Sequence, residues 1–159
     1  MTSSAQRARF ALLVLLLVAG AAVHAQAPPP GSGSFEFTGP VRVIDGDTLD
    51  VYLSGRRVGV GLIGIDAPPG NTACGQQALD ALRRLTAAGL RLDEDPELVF
   101  DARHRRMYYA VSREGVSLAR ELVSAGVARA NGRGREQSEL ALAEAQARQA
   151  GAGCVWGGG

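Results

Sequence analysis

The stretch from Val41 to Pro69, VRVIDGDTLDVYLSGRRVGVGLIGIDAPP, constrains the fold more than any other. Two short acidic turns, Asp45-Gly46-Asp47-Thr48 and Asp66-Ala67-Pro68, bracket about a strand and a half of apolar alternation. Leu49, Val51 and Leu53 share one parity and Asp50 and Tyr52 the other, which is the period of a half-buried strand. Ser54-Gly55 turns the chain, and Val58, Val60, Leu62, Ile63 and Ile65 carry the return run to Asp66. Antiparallel strands joined by so short a loop bring their far ends together, so Asp47 and Asp66 are expected at one sheet end. Two carboxylates in close company repel unless something neutralises them. A hard divalent cation does so, since Ca²⁺ takes carboxylate, carbonyl and water oxygens. Either turn alone also reads as an ordinary hairpin or strand exit. The pair in this order is the informative feature.

Residues 1–25 read as a signal peptide. Arg7 and Arg9 precede an apolar run from Phe10 to Val23, and Val23-His24-Ala25 places compact residues before a cut after Ala25. That run is short for a bilayer span and lacks a basic stop-transfer flank; the competing reading is a retained membrane anchor. Residues 26–38 are expected as a flexible linker, opening with the Pro/Gly/Ser-rich QAPPPGSGS. Residues 39–156 then form one domain with a modest core, followed by a glycine tail over 157–159. The chain is expected to be exported, periplasmic or secreted, with no lasting membrane anchor, and monomeric.

Every one of the 17 basic residues is Arg. Loss of Arg7 and Arg9 leaves 15 of them against 16 acidic residues, a net charge near −1. Nucleic-acid binders that grip phosphates usually carry a basic surplus, so any such grip here must come from locally clustered Arg. Two cysteines, Cys74 and Cys154, are expected to pair in an exported chain and to tie the first helix to the tail; two free thiols are the alternative.

Beyond Pro69 the pattern predicts a helix over Gly75 to Ala88, with Ala78, Leu79, Leu82 and Leu85 on one face. A strand at Leu90–Leu92 and an acidic turn at Asp93–Glu97 follow. Leu98 to Val111 reads as strand around the Arg-loaded ARHRR, followed by a helix from Ser117 to Ala125, a strand at Val127–Arg129 and a helix from Glu136 to Ala150. Five short strands with a helix between the third and fourth, and two later helices outside, predict an α+β fold: a five-stranded OB-fold β-barrel carrying about three helices.

The order apolar strand, Asp-Gly-Asp-Thr, hairpin, apolar run and Asp-Ala-Pro resembles the thermonuclease (staphylococcal-nuclease-like) family, from about Val41 to Trp156. The resemblance implies a Ca²⁺ site on Asp47, Asp66 and the backbone carbonyl of Ala67, with Asp45 and Thr48 in support. It also implies a catalytic arginine at Arg105, since DARHR at Asp101 to Arg105 matches the ends of the family turn D-[KR]-Y-G-R. Arg103 and Arg106 are the lesser substitutes, and a solvated basic turn is the bland alternative. Elsewhere the chain departs from the family. The Arg five residues before the second Asp is Gly61, and the Glu that closes D-[AT]-P-E and handles the attacking water is Pro69. Loss of one transition-state donor costs about 10²–10³ in rate. The expectation is therefore an exported Ca²⁺-dependent nuclease acting on DNA or RNA with weakened catalysis. The alternative is a catalytically inactive OB-fold module in the periplasm that binds nucleic acid or protein.

Overall fold

The structure is a computed structural model and describes residues 33–53 and 55–157. The signal peptide expected over 1–25 and the first part of the expected linker lie outside the described residues. The linker's end does not: Ser34–Phe37 is a strand, β1. It pairs antiparallel with Leu90–Asp93, placing Phe35 opposite Leu92 and burying Phe37 in the core. The apolar alternation of SFEF explains this, since Phe35 and Phe37 share one face.

The strands β2 (Arg42–Asp45), β3 (Thr48–Leu53) and β4 (Arg56–Leu62) form the expected meander. Thr48 pairs with Gly61 and Leu49 with Val60, so the far ends of β3 and β4 do meet. Leu49 and Val51 are fully buried while Tyr52 is half exposed, as the parity requires. A two-residue strand β5 (Ile65–Asp66) follows, then helix α1 (Ala73–Thr86), β6 (Leu90–Asp93), β7 (Arg106–Ser112), helix α2 (Leu118–Ser124), β8 (Arg129–Ala130), helix α3 (Gln137–Gln149) and one helical turn, α4 (Gly153–Trp156). The main sheet runs β1-β6-β7-β4-β3-β2, with β5 and β8 paired separately. All pairs are antiparallel except β4 with β7. This is the expected α+β, OB-like arrangement with two differences. The described residues hold eight strands and four helices, and the six-stranded sheet is not closed into a barrel. Val127 lies just before β8, and the apolar residues Leu98 to Phe100 contribute a single bridge, Phe100 to Arg106, in place of a strand.

Two packing details set the position of the site. α1 starts earlier than its apolar spacing suggested, because Thr72 Oγ1 accepts the Gly75 amide at 2.9 Å and so caps it. On its buried face, Ala78 lies against Gly46 of the Asp45-Gly46 turn. A Cβ at Gly46 would fall 2.4 Å from the Ala78 Cβ and 2.8 Å from the Ala67 Cβ, so the helix approaches this turn only because residue 46 has no side chain. Meanwhile the parallel pairing of β4 with β7 sets Gly61 beside Met107. That brings the loop preceding β7 to the same sheet end as the two acidic turns. The two cysteines form a disulfide, with Cα atoms 5.4 Å apart, joining α1 to α4. Among the described residues no helix is long and apolar enough to cross a membrane.

Candidate active site

At this sheet end lies a cavity of about 210 Å³ whose lining includes Asp47, Gly61, Asp66, Arg105, Asn131 and Arg133. Asp47 reaches it from the turn before β3 and Asp66 from β5, just beyond the end of β4. The carboxylate of Asp47 is oriented from both sides: Oδ1 accepts the Thr48 hydroxyl at 2.9 Å and Oδ2 accepts the Ala67 amide at 3.0 Å. The Asp47 carbonyl also accepts the Leu62 amide at 2.9 Å. The two acidic turns are thus tied directly to each other. Asp66 is exposed, and its Oδ1 accepts from the Asn131 amide group at 3.3 Å. Asp45 turns away: its Oδ1 accepts the Gly46 amide at 2.8 Å and faces Gly70, outside the cavity lining.

Arg105 enters from the loop before β7. Its Nε donates to Asp101 Oδ2 at 2.7 Å and its Nη1 donates to the Thr48 hydroxyl. One continuous chain of hydrogen bonds therefore runs from Asp101 through Arg105 and Thr48 to Asp47. Asp101 also accepts the amides of Arg103 and Arg105, at 2.9 and 2.8 Å, and so shapes the whole turn. Burial pushes the Asp101 carboxyl up, but these hydrogen bonds and the Arg105 charge outweigh it and hold the group below the usual carboxylate range. His104 occupies the left-handed region at φ 59°, where the family turn has its glycine, and its side chain is exposed. Arg106 points elsewhere, stacking over Phe100 at 5.7 Å and lying 3.7 Å from Glu94. Arg57 approaches Asp50 at 3.8 Å and stays out of the cavity. Tyr108 and Tyr109 are buried, so neither offers a ring face on which a nucleic-acid base could stack.

The staphylococcal nuclease homologue family model matches residues 59–157. The chain belongs to this family. No curated protein matches it. The family match spans Asp66, Ala67, Arg105 and both cysteines, while Asp47 precedes it and is joined to it by the Asp47–Ala67 and Asp47–Leu62 hydrogen bonds. Against the staphylococcal nuclease pattern, Pro69 is exposed and carries no carboxylate, and the cavity's lining carboxylates are Asp47, Asp66 and Asp101.

Among the described residues no group of three or more His, Cys, Asp or Glu side chains forms a metal-binding cluster. The donor set for a cation is smaller: two carboxylates lining one cavity, neither in an ion pair among the described residues, with the Ala67 peptide held against one of them. Hard oxygen donors of this kind suit Ca²⁺, with water completing the shell. Sequence reasoning missed Asn131 and Arg133. They follow β8 in Asn131-Gly132-Arg133-Gly134, which in sequence is an ordinary turn. The β5–β8 pairing, which brings that turn to Asp66, has no local signature.

Proposed function

We propose that this protein is an exported phosphodiesterase that cleaves nucleic acid slowly with Ca²⁺ held by Asp47, Asp66 and the Ala67 carbonyl. The observation that supports it is the convergence of Asp47, Asp66 and Arg105 on one cavity, with Arg105 hydrogen-bonded to the same Thr48 that orients Asp47. When bound, Ca²⁺ would polarise a phosphodiester and neutralise part of its charge. The chain's own residues do the rest. Arg105, fixed by Asp101, offers guanidinium donors to the equatorial phosphate oxygens, whose charge grows in the transition state. Thr48 and the Ala67 amide hold the Asp47 carboxylate in place. With Pro69 where the family has Glu, no side chain of the known pattern deprotonates the attacking water, and turnover suffers more than binding. Gly61 and Pro69 also favour a second reading, in which the domain binds nucleic acid without cutting it.

The test incubates the protein lacking residues 1–25 with single- and double-stranded DNA and RNA, in millimolar Ca²⁺ or in chelator. Slow cleavage that requires Ca²⁺ supports the first reading. Binding without products supports the second, and the absence of both cleavage and binding refutes both readings. Export rests on the leader sequence, and mass spectrometry of the native protein should find Gln26 at its amino terminus. An intact Met1 terminus refutes it.

A further inference from the structure

We propose that Arg133 supplies the phosphate-directed cation that strand β4 lacks at Gly61. This rests on the phosphodiesterase reading and assigns a role to a residue of the same cavity.

Gly61 sits between Thr48 and Met107 in the sheet, and a Cβ there would fall 2.6 Å from the Met107 sulfur. The space a long β4 side chain would use is therefore occupied by Met107. Arg133 lines the cavity from a different element, the turn after β8. That turn is pinned on both flanks. Asn131 Oδ1 accepts the Arg133 amide at 3.1 Å, while its amide group donates to the Ile65 carbonyl at 3.1 Å and to Asp66 Oδ1 at 3.3 Å. The Asn131 amide in turn donates to the Gly64 carbonyl at 3.0 Å. On the other flank Gly134 packs so closely that a Cβ would lie 2.5 Å from the Tyr109 hydroxyl oxygen and 2.6 Å from an Ile63 methyl. Gly132 and Gly134 both have positive φ, 72° and 82°, so Arg133 is held at the apex of a Gly-Arg-Gly turn.

Its charge is also uncommitted. Arg135, two residues on, pairs with Asp93 at 2.9 Å and stacks on Tyr109 at 4.1 Å. Arg105 is engaged by Asp101. Arg133 borders a second groove with Glu94, Asp95 and Glu97, yet among the described residues it makes no ion pair within 4.0 Å. A guanidinium on the lining of the cavity that Asp66 and Arg105 share suits a phosphodiester oxygen. It would act together with Arg105.

The experiment compares wild type, Arg133→Gln, Arg133→Lys and, as an exposed control on α2, Arg120→Gln, all checked for folding by thermal melting. Two readouts are taken in Ca²⁺: kcat/KM on single-stranded DNA, and Kd for a 5′-phosphorylated single-stranded pentamer with phosphorothioate linkages. Arg133→Gln should lower kcat/KM by about 10²-fold, the usual effect of losing one such donor. Arg133→Lys should restore part of it, and the control should match wild type. Gly61→Arg combined with Met107→Ala should then rescue Arg133→Gln while adding little to wild type, a non-additivity that a merely structural role of Arg133 would not produce. Equal cleavage by folded Arg133→Gln and wild type overturns the assignment and leaves the phosphodiesterase reading standing. If wild type cuts nothing, that reading fails and the pentamer decides: at least tenfold weaker binding by Arg133→Gln keeps Arg133 as a phosphate contact, whereas unchanged or absent binding removes it.

Discussion

Restoring a carboxylate at residue 69 is the most direct probe of what limits this site. Residue 69 lies two positions after Ala67, whose amide holds Asp47, so a Glu there projects from the segment already tied to Asp47. The main chain should tolerate the change. The Pro69 carbonyl accepts the Thr72 amide at 2.9 Å and the Thr72 hydroxyl at 2.7 Å, and Gly75 packs closely on it. None of these contacts uses the proline ring, and the residue is exposed. Loss of the ring's restraint on the unfolded chain costs about 0.4–1 kcal/mol, small beside a typical domain stability of about 5–15 kcal/mol. An oriented general base is worth about 10²–10⁴ in rate, or roughly 3–5 kcal/mol of barrier. Pro69→Glu should therefore raise single-turnover cleavage of a DNA oligonucleotide by at least about 100-fold in Ca²⁺. It should change oligonucleotide affinity little. The variant should also gain an acidic limb in its pH–rate profile, falling as the new carboxylate protonates near its ordinary value of about 4. A folded variant that binds oligonucleotide and Ca²⁺ yet cuts within threefold of wild type refutes the idea that a missing base limits turnover.

Three further outcomes are expected. Millimolar Ca²⁺ should stabilise the protein, by about 1.4 kcal/mol at tenfold over a Kd near 10⁻³ M, and a thermal shift that persists in Asp47→Asn refutes the ligand assignment. Reduction of Cys74–Cys154, which closes a loop of sequence separation 80, should cost about 4 kcal/mol and lower Tm by an amount calorimetry resolves easily; an unchanged Tm after complete thiol labelling counts against it. Burial, and then the hydrogen bond donated to Asp95, push the Tyr109 hydroxyl up from its ordinary value to about 12. The protonated form is favoured by folding, so this contribution is complete below pH about 10 and is lost as pH rises through about 12. Melting curves should fall in that window for wild type, with a shallower fall in Tyr109→Phe.

The hairpin and its two aspartates were legible because strand parity and a short turn fix geometry from sequence alone: Leu49, Val51 and Asp47 could hardly have been arranged otherwise. Arg105 was found through its turn, and Asp101 at the start of that turn proves to be the residue that shapes it. What escaped reading depends on long-range pairing. β1 lay in a segment whose Pro/Gly/Ser neighbours suggested a linker, and its four-residue alternation takes effect as a strand through pairing with β6. The open sheet follows from how far β1 and β2 lie apart in strand order, which no local pattern encodes. Asn131 and Arg133 reach the cavity through a two-residue strand, too short for any periodicity to register.

The disulfide-tied tail has a practical consequence. Trp156 is the single tryptophan, and its ring lies between the guanidinium groups of Arg129 and Arg148, at 4.3 and 4.4 Å. Arg129 is the cross-strand partner of Asp66. The protein thus carries its own optical probe two residues from a crosslink, stacked on the cross-strand partner of Asp66. Freeing the tail by reduction would unstack the indole and expose it to water, shifting its emission to longer wavelength. Tail undocking can therefore be followed in the unlabelled chain, by fluorescence.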